Sequence, residues 1–174
     1  MPQNISSIIN IEYAHHSQIA TLRINPATSL IEDLTFYENM NPANPANLAN
    51  LSNQGNQTNH AKSWFRLYFT PQSSELQITA KQSDHGDIYT CSLQARIPKD
   101  NPETTSFIRA SQNAWFLLRV TDANGIIRLI GTPDFPARLV SKISIPASPA
   151  AYNGYDLAFT SRQLSPPAYF PQTP

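Results

Sequence analysis

Between Ala114 and Gly131 the chain reads Ala-Trp-Phe-Leu-Leu-Arg-Val-Thr-Asp-Ala-Asn-Gly-Ile-Ile-Arg-Leu-Ile-Gly, two apolar runs separated by Asn124-Gly125. Asn-Gly is the pair a type I′ hairpin turn favours, because both central residues need positive φ. A two-residue turn there places Val120 opposite Leu129 and Leu118 opposite Gly131. One face then carries Phe116, Leu118, Val120, Ile127 and Leu129, and the other Arg119, Thr121 and Arg128. A three-residue turn with a bulge would set Val120 against Arg128 and mix the faces, so side-chain alternation favours the two-residue form.

The rest of the chain repeats the strand pattern. Residues 5–13 carry Ile5, Ile9, Ile11 and Tyr13, and residues 18–24 carry Ala20, Leu22 and Ile24, which suggests an opening hairpin around His15-His16. Ser29 to Glu32 fits a capping box, so residues 30–38 suit a short helix or a strand. Phe65, Leu67 and Phe69 share a face, and Leu76 with Ile78 marks the next strand. Asp87 to Ile97 alternates throughout, with Tyr89, Cys91, Leu93, Ala95 and Ile97 on one side. Pro98 to Pro102 ends that strand in a loop, and a strand-like piece follows around Phe107. Gly131 to Pro136 is a rigid turn, since each proline fixes its own φ and biases its predecessor toward extended backbone. Leu139 to Ile145 and Tyr155 to Thr160 complete a count of about eight to ten strands at hairpin-like spacing. The expected fold is all-β, an antiparallel sandwich or barrel.

Two segments break the pattern. Residues 39–61 are Asn-rich, with Pro42 and Pro45, and predict a long mobile loop or arm that orders on a neighbouring subunit or is an inconsequential insertion. Residues 165–174 are Pro-rich, with Tyr169 and Phe170, and predict an extended segment lying on a surface rather than a strand. The domain expectation is thus a single β domain over 1–164 and a tail over 165–174.

Composition narrows the function. The chain has 174 residues, 15 prolines and 5 glycines, which disfavours long helices and suits one β domain. Twelve Lys plus Arg balance twelve Asp plus Glu, so the basic excess of nucleic-acid binders is missing and no nucleic-acid partner is expected. One cysteine, Cys91, allows no intrachain disulfide. The first ten residues lack the basic and apolar regions of a signal peptide, and no apolar run could span a bilayer, so a cytoplasmic origin with no membrane partner is expected.

Candidate chemistry is sparse. Asp84-His-Gly-Asp87 has metal or acid–base groups but lies between strands, where Asp and Gly serve a turn. His15 and His16, adjacent on an extended segment, point opposite ways and make a poor chelate. Cys91 falls on the apolar face of its strand, which suits a structural thiol better than a nucleophile. Phosphate loops, serine nucleophile elbows, HExxH and CxxC patterns are absent from the sequence, so neither an enzyme nor a metal or cofactor protein is expected. Arg119 and Arg128 on the polar hairpin face suit a solvated face with cross-strand partners, or a subunit or ligand surface.

The stretch from Leu117 to Pro136, followed by Asn153-Gly-Tyr-Asp-Leu-Ala-Phe-Thr and Pro167-Ala-Tyr-Phe, resembles small structural proteins of phages and prophages of Bacteroidetes-type bacteria. The resemblance covers about the last third of the chain. It implies a virion component of the tail or the head-to-tail connector, made in the host cytoplasm, working as a homo-oligomer with other virion proteins and without catalytic residues. Arg119, Arg128, Tyr169 and Phe170 are the expected assembly surface. The alternative is a monomeric β-sandwich module binding carbohydrate or peptide through Trp64, Tyr68 and Trp115.

Overall fold

A strand whose two faces are both covered has no reason to alternate, and Trp115 to Asp122 is such a strand. In the computed structural model, which describes residues 7–36, 64–83, 86–98, 102–144 and 153–171, Phe116, Leu117, Leu118 and Val120 are all buried. The strands in chain order are β1 (Ile8–His15), β2 (Ile19–Ile24), β3 (Ile31–Phe36), β4 (Phe65–Arg66), β5 (Glu75–Ser83), β6 (Gly86–Pro98), β7 (Trp115–Asp122), β8 (Ile127–Ile130), β9 (Ala137–Ser144), β10 (Gly154–Gln163) and β11 (Ala168–Tyr169). The α-helix α1 (Pro102–Ser111) lies between β6 and β7, and a 3-10 turn (His16–Gln18) joins β1 to β2.

Nine strands form one antiparallel sheet in the order β11-β8-β7-β9-β10-β6-β5, with β1 on the other edge of β7 and β4 beyond β1. β8 and β9 lie along the same edge of β7: Leu118 pairs with Ile130, and Phe116 pairs with Ala137. The chain leaves that edge at Gly131 and rejoins it at Ala137. Gly131 has φ +83, and a Cβ there would sit 3.0 Å from the Ala137 nitrogen and 3.1 Å from the Phe116 oxygen. Only glycine fits that corner without displacing backbone. Beyond it β9 runs on to pair with β10, so the sheet folds into a sandwich-like pair of layers rather than a closed barrel.

The main core fills the space between the layers: Ile11, Phe116, Leu118, Val120 and Ile130 meet Cys91, Leu93, Ala95, Leu157 and Phe159. Phe116 and Phe159 touch edge to face at 5.9 Å between centroids, a geometry aromatic quadrupoles favour. A second cluster lies on the other side of β7. There Leu117, Leu129, Ala14 and Ala168 are covered by Ile19 and Ile31 of the separate β2–β3 hairpin.

Several expectations fail for identifiable reasons. The β7–β8 turn is the three-residue form: Val120 pairs with Arg128 and Thr121 with Ile127. Gly125 alone takes positive φ, at +78, while Asn124 does not. Asp122 selects this turn, since its Oδ1 accepts from the N–H groups of Asn124 at 2.9 Å and Ile126 at 3.0 Å. The mixed faces that argued against it are accommodated because Leu129 is buried in the second cluster while Arg128, on the Val120 side, is ion-paired with Asp122.

β1 and β2 do not form a hairpin; β1 pairs with β7 and β4, and β2 pairs with β3. A register shift between Ile8 and Asn10 reverses the phase of β1, so Ile8 packs on the core and Ile9 is exposed. Residues 31–36 take the strand rather than the helix alternative.

The strand-like piece around Phe107 is helix α1. Pro102 stands at the first helical position, where its missing N–H costs nothing, and Asn113 at φ 65 follows the helix end. Ile108 and Ser111 of α1 are buried, and Phe107 packs 5.3 Å from the Tyr13 ring. The 39–61 segment lies outside the described residues.

Candidate assembly surface

The four residues expected to form an assembly surface come together in two pairs, each already engaged within the chain. Tyr169 pairs with Arg128 in the β11–β8 register, and the Arg128 guanidinium lies 5.6 Å from the Tyr169 ring centroid. The Arg119 guanidinium lies 5.0 Å from the Phe170 ring centroid. Such stacking contributes about 0.5–1 kcal/mol at partly exposed sites.

The arginines do not share a polar face. Arg119 pairs with Leu129 and Val120 with Arg128, so they project from opposite faces of the β7–β8 pair. Arg128 also holds Asp122, its Nη1 2.7 Å from Oδ2, and Arg119 lies 3.5 Å from Glu12. Burial works to raise the Asp122 pKa, but its hydrogen bonds from Arg128, Ile126 and Asn124 and the Arg128 charge hold the carboxyl below the usual range.

These contacts fix the tail. β11 is a strand rather than a segment merely resting on a surface. Ala168 pairs with Leu129 and is buried. The Tyr169 N–H donates to the Ser29 carbonyl at 2.8 Å and the Phe170 N–H to the Ile127 carbonyl at 3.0 Å. On its far side β11 meets Leu30 in a parallel bridge. The tail thus ties the β2–β3 hairpin to the main sheet, with both of its edges occupied.

The other end of the sheet differs. β5 pairs with β6 through nine consecutive positions, from Glu75 opposite Gln94 to Ser83 opposite Gly86, without a register shift. Among the described residues it has no second neighbour. Ile78 on β5 is 41% exposed and Ile88 on β6 is 36% exposed. A long, regular edge without a second neighbour is a template for another strand. Alternation within the sequence located β5 and β6, but which strands lie at sheet edges depends on the long-range order and left no local signal.

The remaining candidates separate. The His15 ring packs 4.9 Å from Phe116, and burial lowers its pKa. The His16 Nε2 instead meets the Pro133 carbonyl oxygen at 2.8 Å. Cys91 is fully buried, and burial pushes its thiol up to about 11, which keeps it protonated at neutral pH. Asp84 and His85, between the paired Ser83 and Gly86, lie outside the described residues. Among the described residues no three His, Cys, Asp or Glu side chains group into a metal site. Trp64 is engaged in a chain of edge-to-face rings, 6.1 Å from both Phe36 and Phe170. Tyr68 and Trp115 are exposed, with Arg66 and Arg138 respectively near their rings.

Compared with protein-family models, curated proteins and solved structures, the chain matches none. The fold itself is all-β and sandwich-like, and no helix among the described residues is long and apolar enough to cross a membrane.

Proposed function

We propose that this protein is a structural subunit that acts by assembling with copies of itself and with other proteins of a phage or prophage particle, in the tail or at the head-to-tail junction. The observation that carries the assembly reading is the β5 edge, nine residues long and without a second neighbour among the described residues, with Ile78 exposed on it and Ile88 exposed on the adjoining β6. Strand addition at such an edge gives affinity through main-chain hydrogen bonds and specificity through alternate side chains. The particle is assigned from the resemblance of the last third of the chain to phage structural proteins, which also makes the virion its location and the host cytoplasm its place of synthesis.

Light scattering on the size-exclusion peak across a concentration series, with negative-stain images of the same fractions, tests the assembly reading. Defined oligomers, rings or tubes are expected, together with co-purification of the chain with virion proteins from a lysate of the producing phage. A strict monomer throughout, with no such co-purification, would overturn the proposal. A glycan or peptide signal lost on substitution of exposed Tyr68 or Trp115 would then favour a binding module; Trp64→Ala is a poorer probe, because that ring packs against Phe36 and Phe170.

A further inference from the structure

We infer that the partner of the β5 edge is the β5 strand of a second copy, paired antiparallel about a two-fold axis at Ile78; this rests on the assembly reading above and specifies its interface. Hydrogen-bond parity decides which residues of β5 are open to a partner. Ser83 faces Gly86 across a two-residue connection, the arrangement in which the flanking pair exchanges both of its hydrogen bonds. Counting along the ladder, Glu75, Gln77, Thr79, Lys81 and Ser83 direct their backbone groups at β6. The Arg96 carbonyl, on the same side of β6, accepts from the Thr70 N–H at 2.7 Å, which agrees with this parity. Leu76, Ile78, Ala80 and Gln82 therefore direct their N–H and C=O groups outward. An axis at Ile78 pairs outward residues only with outward residues: Ile78 with its own copy, and Leu76 with Ala80.

The sequence of β5 is also complementary to itself. The strand reads Glu75-Leu-Gln-Ile-Thr-Ala-Lys-Gln-Ser83, with one acidic and one basic residue placed symmetrically about Ile78. In this register Glu75 of each copy lies opposite Lys81 of the other. Shifting the axis by one residue in either direction places both charges opposite neutral residues. Neither Glu75 nor Lys81 has an ion-pair partner among the described residues. On the core-facing side, Leu76, Ile78 and Ala80 of both copies form one apolar strip that continues the main core. A two-fold interface must be self-complementary, and the seven residues from Glu75 to Lys81 are.

Single-cysteine cross-linking tests the register, with native Cys91 buried and out of reach. Under mild oxidation Ile78→Cys is expected to give a disulfide-linked dimer on non-reducing gels. Gln77→Cys and Thr79→Cys are expected to cross-link when mixed and not separately. By sedimentation, Glu75→Lys should weaken the dimer on the order of tenfold, and adding Lys81→Glu should restore it to within about threefold. If the protein assembles but Ile78→Cys does not cross-link and Glu75→Lys changes nothing, the β5 pairing is overturned while the assembly reading stands. A strict monomer with no co-purifying virion protein overturns both.

Discussion

The sheet ends in opposite ways at β11 and at β5. β11 is two residues long, pairs with β8 on one side, touches Leu30 on the other, and has Ala168 buried beneath the β2–β3 hairpin. β5 is nine residues long, regular, and bounded by a single strand among the described residues. Natural sheets blunt their edges by shortening or covering them, or with proline, charge and bulges. The β11 end uses the first two devices, and β4 at the β1 side is likewise only two residues long. β5 has no proline and no register shift, and its charges sit near the ends. The chain thus seals one edge with its own tail and, among the described residues, leaves the nine-residue β5 edge regular and paired on one side only, the geometry on which the proposed strand addition rests.

The largest effect is expected where both ends depend on one strand. Val120 on β7 is 1% exposed, and Val120→Asp would bury a carboxylate in the main core. The expected cost is about 4 kcal/mol or more, enough to abolish the cooperative thermal transition in circular dichroism. A melt superimposable on wild type would contradict the packing of β7.

Ending the chain at Leu164 attacks the sealed end alone. It removes the Tyr169 and Phe170 backbone bonds, the burial of Ala168 and the rings beside Arg119 and Arg128. Roughly 3 kcal/mol of stability should go, lowering the melting temperature by roughly 10 °C. The bared β8 edge should also raise light scattering with concentration. An unchanged melting temperature would show that β11 seals nothing.

A smaller effect isolates the turn that sets the β8 register. Asp122→Ala should cost about 1–2 kcal/mol, through two turn hydrogen bonds and one charge-assisted bond to Arg128. The sign with pH follows from the lowered pKa of Asp122. Its folded value lies below the unfolded one, so its contribution is present above about pH 4 and is lost as pH falls through the folded value. Denaturant melts from pH 6 to pH 2.5 should therefore converge for the two proteins at the acid end. A constant gap across that range would mean the carboxylate charge does not stabilise the turn.

How far the sequence was legible follows from which contacts are local. The β6 strand read correctly because one side, Cys91 to Ile97, meets the core and the other carries Ser92, Gln94 and Arg96. β7 misled because Leu117 has its own cluster under the β2–β3 hairpin, and no residue near β7 announces that cover. The β1–β7 pairing joins Ile11 to Val120 across most of the chain, so the nearer β2 was the natural but wrong partner. Helix α1 was hidden by four Ser and Thr residues around only two large apolar ones, a pattern too thin to show a period. Arg119 meets Phe170 and Arg128 meets Tyr169, on opposite faces of the β7–β8 pair, as contacts that hold the tail and that only the β11–β8 register reveals.

The finest test applies one substitution to both ends. Ile78 is 41% exposed at the open edge, so Ile78→Lys places an ammonium that can reach water along its flexible stem. The expected loss of monomer stability is under about 1 kcal/mol. In the two-fold register, however, it sets two lysines against each other on the axis, and like charges directly opposite oppose pairing. Self-association should therefore fall sharply while the melting curve, read at a concentration where both proteins are monomeric, hardly moves. Ala168→Lys at the sealed end is 3% exposed in the native residue and should behave in reverse, destabilising the fold itself. Equal destabilisation at both positions would mean that β5 is as covered as β11, and the contrast between the two edges would be lost.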